Sequence, residues 1–363
     1  MSYLNHLLLD HRLFKLSIYR ISIVALLVAV SLGFSGCTSS TNFASTPGDT
    51  AAVADYFTIA VLPDTQYYSQ KYPAIFIGQT QWIADNAKAQ HIVFVSQEGD
   101  LVNNYSSDND YQWKNAQQAM GIIRNAGIPY SVVPGNHDLN FEAGNSSYYD
   151  KYFPFTDFAT FSWYGSGHYP PQNSAPSPNY PANSNASNFE TFSAMGQNFV
   201  ILNLACTPLV QVNSGMYDWA NSVLHYYNNY KAIVVTHGYI DTKGNYTDSS
   251  SVAGIEIWQN IVDPNNNVVA VFCGHIHGEY NGAVTAENGN TVENLLFDTQ
   301  SDPNGGDGWL RLYKFYPGRN KVTAITYSPY LKQYDTSATG EFDFTLNMTQ
   351  PSIQGMILPG INY

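Results

Sequence analysis

The chain has 363 residues, 12% of them charged and 15% aromatic, with a formal net charge of −13 at pH 7. That length can bury a sizeable apolar core as one large domain or two small ones, and the composition is globular, not disordered. The acidic balance, with no local basic patch, excludes a nucleic-acid polymer as partner, because the field of the chain would repel its backbone.

Residues 1–36 read as a targeting segment. Arg12, Lys15 and Arg20 precede an apolar run from Ile21 to Phe34, which stops at Ser35, Gly36 and Cys37. The run is too short and one-sided for a membrane span, and its small-residue end suits a signal peptidase, so export is expected. Phe34-Ser35-Gly36-Cys37 resembles a bacterial lipobox, in which the cysteine is lipidated and becomes the new N-terminus; Phe34 stands where that pattern prefers Leu, Val or Ile. The expectation is a lipid on Cys37 that holds the protein in the cell envelope, in the periplasm or at the outer membrane, with plain secretion as the alternative. The membrane is then a partner only through that lipid. Residues 37–54, rich in Ser, Thr, Gly and Pro, read as a flexible tether. Cys206 and Cys273 lie in apolar runs and read as buried thiols of core strands, not as a disulfide framework.

From Tyr56 onward, short apolar runs alternate with helical patterns. The spacing predicts strands at Phe57–Leu62, His91–Ser96, Ile128–Val133, Phe199–Leu204, Ala232–Thr236 and Val268–Cys273. Helices are predicted between them at Ile75–Ala89, Tyr111–Asn125, Met216–Tyr227 and Val252–Ile261. This alternation means an α/β fold, whose ligands sit beyond the carboxyl ends of strands. A Tyr-, Asn- and Pro-rich insertion at 139–197 breaks the pattern, and a connection of that length is functional or disordered. From Gly282 onward the sequence predicts strands and turns (Ala283–Ala286, Val292–Asp298, Trp309–Phe315, Lys321–Tyr327, Glu341–Leu346), read as the second sheet of the same domain. One domain is expected over residues 55–350, with a C-terminal tail at 351–363.

Five clusters follow apolar runs: Asp64-Thr65-Gln66, Gly99-Asp100, Gly135-Asn136-His137-Asp138, Thr236-His237-Gly238 and Gly274-His275-Ile276-His277. Carboxylates, imidazoles and amides together suit Mn, Fe, Zn or similar ions, and the absence of a cysteine cluster argues against a thiolate zinc site. The order of the clusters resembles the signature of the calcineurin-like metallophosphoesterases: Asp-x-His, Gly-Asp, Gly-Asn-His-Asp/Glu, a lone His, then Gly-His-x-His. Four of the five match outright, over about residues 57–278, and 36 residues separate Asp64 from Asp100 and Asp100 from Asn136, enough for a strand-helix-strand unit each.

The resemblance implies a four-layer α/β/β/α sandwich of two mixed sheets flanked by helices. It also implies two divalent metal ions. One would be held by Asp64, Gln66, Asp100 and His277, the other by Asp100, Asn136, His237 and His275, with Asp100 bridging. In such centres two cations about 4 Å apart share a hydroxide that attacks phosphorus in line. The resemblance further implies His137 as the general acid for the leaving oxygen and Asp138 as the group that orients its ring. Gln66 departs from the pattern, where most members have His. Its carbonyl oxygen is a harder ligand and favours Mn or Mg over zinc. Asp-x-Gln also occurs in a manganese-dependent group acting on nucleoside diphosphate derivatives. Asn103 stands where the purple acid phosphatases carry a ligand Tyr, which argues against a Tyr-ligated ferric ion.

Around these motifs Tyr67, Tyr68, Asn103, Asn104, Tyr239, Glu279 and Tyr280, and Trp163, Tyr164 and His168 of the insertion, are candidates for substrate contact or for packing. The expected activity is hydrolysis of phosphomonoesters or phosphodiesters, small organic phosphates such as nucleotides foremost. The alternatives are a protein phosphatase and a catalytically reduced, metal-containing surface lipoprotein that binds a glycan or protein.

Overall fold

The computed structural model describes residues 54–140, 145–165, 175–206, 214–248 and 253–348. The targeting segment, Cys37, the tether up to residue 53, His168 and the 351–363 tail lie outside them. The chain opens with β1 (Phe57–Leu62), α1 (Gln66–Lys71), α2 (Pro73–Asn86), β2 (Ile92–Gln97), α3 (Tyr111–Asn125) and β3 (Tyr130–Val132). Next come α4 (Ser147–Tyr152), α5 (Phe155–Phe158), β4 (Asn179–Tyr180), β5 (Ser187–Ala194), β6 (Gln197–Leu204), α6 (Ser214–Tyr226), β7 (Lys231–Thr236), α7 (Gly254–Ile257) and β8 (Val268–Cys273). The remainder is β9 (Gly278–Thr285), β10 (Thr291–Asp298), β11 (Leu310–Tyr316), β12 (Lys321–Ser328), β13 (Gln333–Asp335) and β14 (Glu341–Thr345).

Two mixed seven-stranded sheets result. One runs β13-β12-β11-β1-β2-β3, with β14 also paired to β12; the other runs β4-β5-β6-β7-β8-β10-β9. Side-chain alternation along the central strands assigns every apolar residue to one of three layers. Phe57, Ile59 and Val61 of β1 meet Phe199, Ile201, Ile233, Val235 and Phe272 of the other sheet. Ala60 and Leu62, one residue out of phase, pack against Phe76 and Ile83 of α2 and Ala116 and Ile123 of α3. Val200, Leu202 and Val234 cover Ala220, Val223 and Leu224 of α6 on the opposite flank. Helix, sheet, sheet, helix is therefore the layer order, as the resemblance to the metallophosphoesterases implies. Each Val, Ile or Phe fully buried in these layers contributes roughly 1.5–3 kcal/mol.

Two expectations need correction. The C-terminal strands do not make a sheet of their own. Instead β9 and β10 extend the β6-β7-β8 sheet, while β11 runs antiparallel to β1, pairing Ile59 with Tyr313, and carries β12 to β14 with it. Nor is the 139–197 segment a simple excursion. Its β4 and β5 complete the second sheet, and Tyr149, Phe153, Phe158 and Tyr164 join the core under α3. Tyr149 donates its hydroxyl to the Val132 carbonyl at 3.0 Å, tying the segment to β3.

Candidate metal centre

β1, β2 and β3 are mutually parallel, as are β6, β7, β8 and β10, so each sheet gathers several strand carboxyl ends on one edge. The two edges meet, since His237 Nδ1 just past β7 lies 3.1 Å from the Glu98 carbonyl oxygen just past β2. The turns that follow leave no room for a side chain at two glycines. A Cβ on Gly135 would sit 2.1 Å from Asp100 Oδ1, and one on Gly274 would sit 2.1 Å from Asp64 Oδ1. Asp100 and His275 adopt left-handed backbone, φ 50° and 69°. Such strain costs about 1–3 kcal/mol for a non-glycine residue and concentrates at functional sites.

Asp64, Asp100 and His237 are buried, and each offers a ligand atom within 4.8 Å of the others. Around His237 Nε2 converge Asn136 Oδ1 at 2.9 Å, His275 Nδ1 at 3.2 Å and Asp100 Oδ1 at 3.3 Å. One proton on Nε2 cannot satisfy three acceptors at once, whereas a cation among them would. The ring is set for this, because Nδ1 donates to the Glu98 carbonyl and leaves Nε2 to face the other ligands. On the opposite side Asp64 accepts the His275 backbone N–H at 3.2 Å through Oδ2. Gln66 Nε2 donates to Asp100 Oδ2 at 3.1 Å and to Gln300 Oε1. That fixes the carboxamide and leaves Gln66 Oε1 buried with no hydrogen-bond partner, as Asp298 Oδ2 and Glu98 Oε2 are. Orphaned buried oxygens beside crowded carboxylates are what a cation would satisfy, so these residues fit divalent metal.

The electrostatics agree. Burial, then repulsion from Asp298 and Asp100, raises the Asp64 carboxyl well above the usual range. Burial raises Glu98 likewise and pushes Asp298 up to about 6. Asp138 is pushed up to about 8 by burial and by Asp100. For His237 burial works against protonation, but the Asp100 carboxylate outweighs it and the net shift is upward. His275 falls to about 4 through burial and the neighbouring His237.

In the metal-free folded state these raised groups hold protons that the unfolded chain has already released. The folded state then binds more protons than the unfolded one, and stability falls as pH rises through the folded values. His275 works the other way only below its unfolded value near 6.5. Added Mn is therefore expected to raise the melting temperature more at about pH 8.5 than at about pH 6.5, as read by scanning calorimetry. Equal increments at both would show that the buried acids do not depend on the cation.

A family model described as calcineurin-like phosphoesterase matches residues 57–279, more than half the chain. The chain belongs to the calcineurin-like phosphoesterases. Members of this family use divalent metals to hydrolyse phosphate esters. Among curated proteins the chain is 33% identical over 304 residues to YvnB of Bacillus subtilis (strain 168), covering 81% of this chain and 22% of that protein. The chain thus spans about a fifth of the length of that relative. Among solved structures, a dimetal phosphatase from Danio rerio is 12% identical with TM-score 0.48, covering 80% of this chain and 99% of that one. A 5′-nucleotidase precursor from Thermus thermophilus is 12% identical with TM-score 0.42, covering 80% and 54%.

Of the ligands that the family motifs imply, Asp64, Gln66, Asp100, Asn136, His237 and His275 come together. His277 does not join the buried trio: its side chain is 47% exposed and Nε2 meets Asp302 Oδ1 at 3.0 Å. Asp138 is also placed otherwise than expected. Its carboxylate accepts the backbone N–H groups of Gly135, Leu101 and Val102 at 2.8–3.0 Å, whereas His137 Nδ1 lies 2.8 Å from the Asn103 carbonyl. Adjacency in sequence suggests the ring contact, but the tight turn at Asn136–Asp138 sends the acid back into the backbone.

Several aromatic candidates prove structural. Tyr68 is buried and its hydroxyl accepts the Gly308 N–H; Tyr164 is buried with its hydroxyl on Asn185; Tyr239 is buried; Trp163 stacks on Phe161 at 4.4 Å between centroids. Missed were Glu98, Asp298, Gln300 and Asp302. A signal for Asp298 was present: it ends the apolar Leu295-Leu296-Phe297 run of a strand parallel to β8, and follows the Leu296–Cys273 pair by two residues, as His275 does.

Proposed function

We propose that this chain is a two-metal hydrolase of small phosphate monoesters or diesters, nucleotides foremost, working outside the cytoplasm from a lipid on Cys37. The observation that carries the hydrolase reading is the convergence of Asn136, His275 and Asp100 on His237 Nε2 within 3.3 Å. The export reading rests on the N-terminal pattern of residues 1–37 alone.

In this reading Asp100, Asn136, His237 and His275 would hold one divalent ion, and Asp64, Gln66 and Asp100 would hold the other; His277 would have to turn from Asp302 to join them. When bound, such a pair supplies positive charge for the phosphoryl oxygens and a hydroxide at neutral pH. The residues do the rest. Asp100 fixes the backbone of His137 by accepting its N–H at 2.9 Å. The Asn103 carbonyl accepts His137 Nδ1–H and so fixes the ring; as general acid the ring acts as the imidazolium and gives its Nε2 proton to the leaving oxygen. Gln66 Oε1, a hard neutral donor, favours Mn at its position.

The test is to strip the protein of metal, reload it separately with Mn, Zn, Fe or Mg, and assay p-nitrophenyl phosphate and bis(p-nitrophenyl) phosphate. Mn is expected to restore turnover, with two metals bound per chain. His137→Ala is expected to bind both metals yet lose about 10²-fold in kcat, the low end for a positioned acid. If no metal restores turnover, or fewer than two bind at saturation, the hydrolase reading falls and the metal-containing binding lipoprotein takes its place. Unchanged kcat in His137→Ala would remove the acid assigned here.

A further inference from the structure

Beside the metal centre lies a cavity of 350 Å³ between α1 and the loop after β10. Tyr67, Lys71 and Tyr72 form one wall; Gln300, Asp302 and Asn304 form much of the other. That size is within the range of small-ligand sites. Two contacts join the cavity to the centre. Gln300 Oε1 accepts from Gln66 Nε2, and Asp302 Oδ1 meets His277 Nε2 at 3.0 Å. An ester whose phosphorus sits at the metals therefore has this cavity as neighbouring room for its organic part.

The walls are held in place from both sides. Gly305 turns with φ +79°, and a Cβ there would come within 2.8 Å of Tyr67 Cβ and 3.4 Å of Tyr72 Cδ2, so the loop backbone presses on both tyrosines. Lys71 Nζ stands 5.6 Å from the Tyr67 ring centroid. Tyr67 and Tyr72 are half-buried, and both line the cavity. Aromatic faces, two carboxamides, one carboxylate and one ammonium together match a flat heteroaromatic ring carrying hydrogen-bonding groups and a polyol, the chemistry of a nucleoside. An alkyl or glycerol moiety would leave the ring faces unused.

We infer that this cavity is the subsite for the nucleoside part of a nucleotide substrate, with Tyr67 as stacking face and Asp302 and Asn304 as hydrogen-bonding groups. The inference rests on the phosphoesterase reading for catalysis but not for binding, which allows the two to be tested apart.

The full chain, loaded with Mn, is assayed with adenosine 5′-monophosphate and with glycerol 2-phosphate. Tyr67→Leu is expected to raise the ratio of the two KM values, nucleotide over glycerol ester, about tenfold, the loss of one base-aromatic stack. Tyr67→Trp, which keeps a larger face, restores the ratio and shows that the leucine variant fails by lost stacking and not by misfolding. Equal KM changes for both esters in Tyr67→Leu, or turnover of the glycerol ester with none of the nucleotide, would overturn the subsite while the hydrolase stands. If neither ester is turned over, the monoester reading fails by itself. Calorimetric titration of adenosine into the metal-loaded protein then decides the subsite: binding weakened about tenfold by Tyr67→Leu supports it, and no binding to the unaltered chain overturns it.

Discussion

Replacing Asp100 by Ala is expected to lower kcat by at least about 10³-fold and to leave the protein unable to hold two metals per chain. A bound metal pair supplies several kcal/mol to the transition state, and each 1.36 kcal/mol is a factor of ten. Asp100 has this weight because one carboxylate makes the contacts of both half-sites. Oδ2 accepts from Gln66 on one side, and Oδ1 faces His237 Nε2 and accepts the His137 N–H on the other. Removing it frees the backbone that places the proposed acid as well as both sets of ligands. Its loss should therefore exceed that of His137→Ala, and no ligand substituted singly on one side should match it. Metal content by atomic emission after dialysis gives the first readout, and turnover of p-nitrophenyl phosphate gives the second. Two metals retained per chain in Asp100→Ala would show that the carboxylate does not bridge.

Much of this centre is legible in the sequence because the strands that build it are buried on both faces. Phe57 to Leu62 is apolar apart from Thr58, since Phe57, Ile59 and Val61 fill the space between the sheets and Ala60 and Leu62 face the helices. A polar residue closing such a run has to emerge at the sheet edge, and Asp64, Asp100, His237 and His275 all do. β5 escapes detection for the opposite reason. Its Asn188 and Glu190 are polar yet buried, because Asn203 on the next strand donates to both at 2.7 and 2.6 Å, and no periodicity announces a hydrogen-bonded pair across strands. α1 escapes as well: Gln66 to Lys71 is a six-residue helix with no apolar stripe, ordered by the buried Tyr68 and by the centre itself. The sharing of the C-terminal strands between the sheets was not legible either. Pairing β11 with β1 closes a loop of some 250 residues, and nothing local in either strand names its partner.

Asp138 is where sequence and structure part most clearly, and the two views predict different experiments. As partner of the His137 ring it would matter for catalysis and little for folding. As the structure has it, one buried carboxylate satisfies three buried backbone N–H groups, those of Leu101, Val102 and Gly135. It thereby welds the turn after β2, which carries Asp100, to the turn after β3, which carries Asn136. Asp138→Ala strands all three donors. Each unsatisfied buried donor costs about 1–3 kcal/mol, so the variant should lose at least about 3 kcal/mol, a large share of the roughly 5–15 kcal/mol that holds a typical domain. A loss of that size corresponds to a fall in melting temperature of about 6 °C or more. Asp138→Asn keeps one acceptor oxygen but turns an amide toward the remaining N–H, so it should lie between the two. Melting is to be followed in the metal-loaded protein, so that the acids at the metal centre are in the same ionisation state in all three. A melting temperature within about 2 °C of the unaltered protein, together with a large fall in kcat, would return Asp138 to the ring of His137. A large thermal loss in Ala, a smaller one in Asn and weaker metal binding in both would establish it as the clamp that holds the two ligand-bearing turns together.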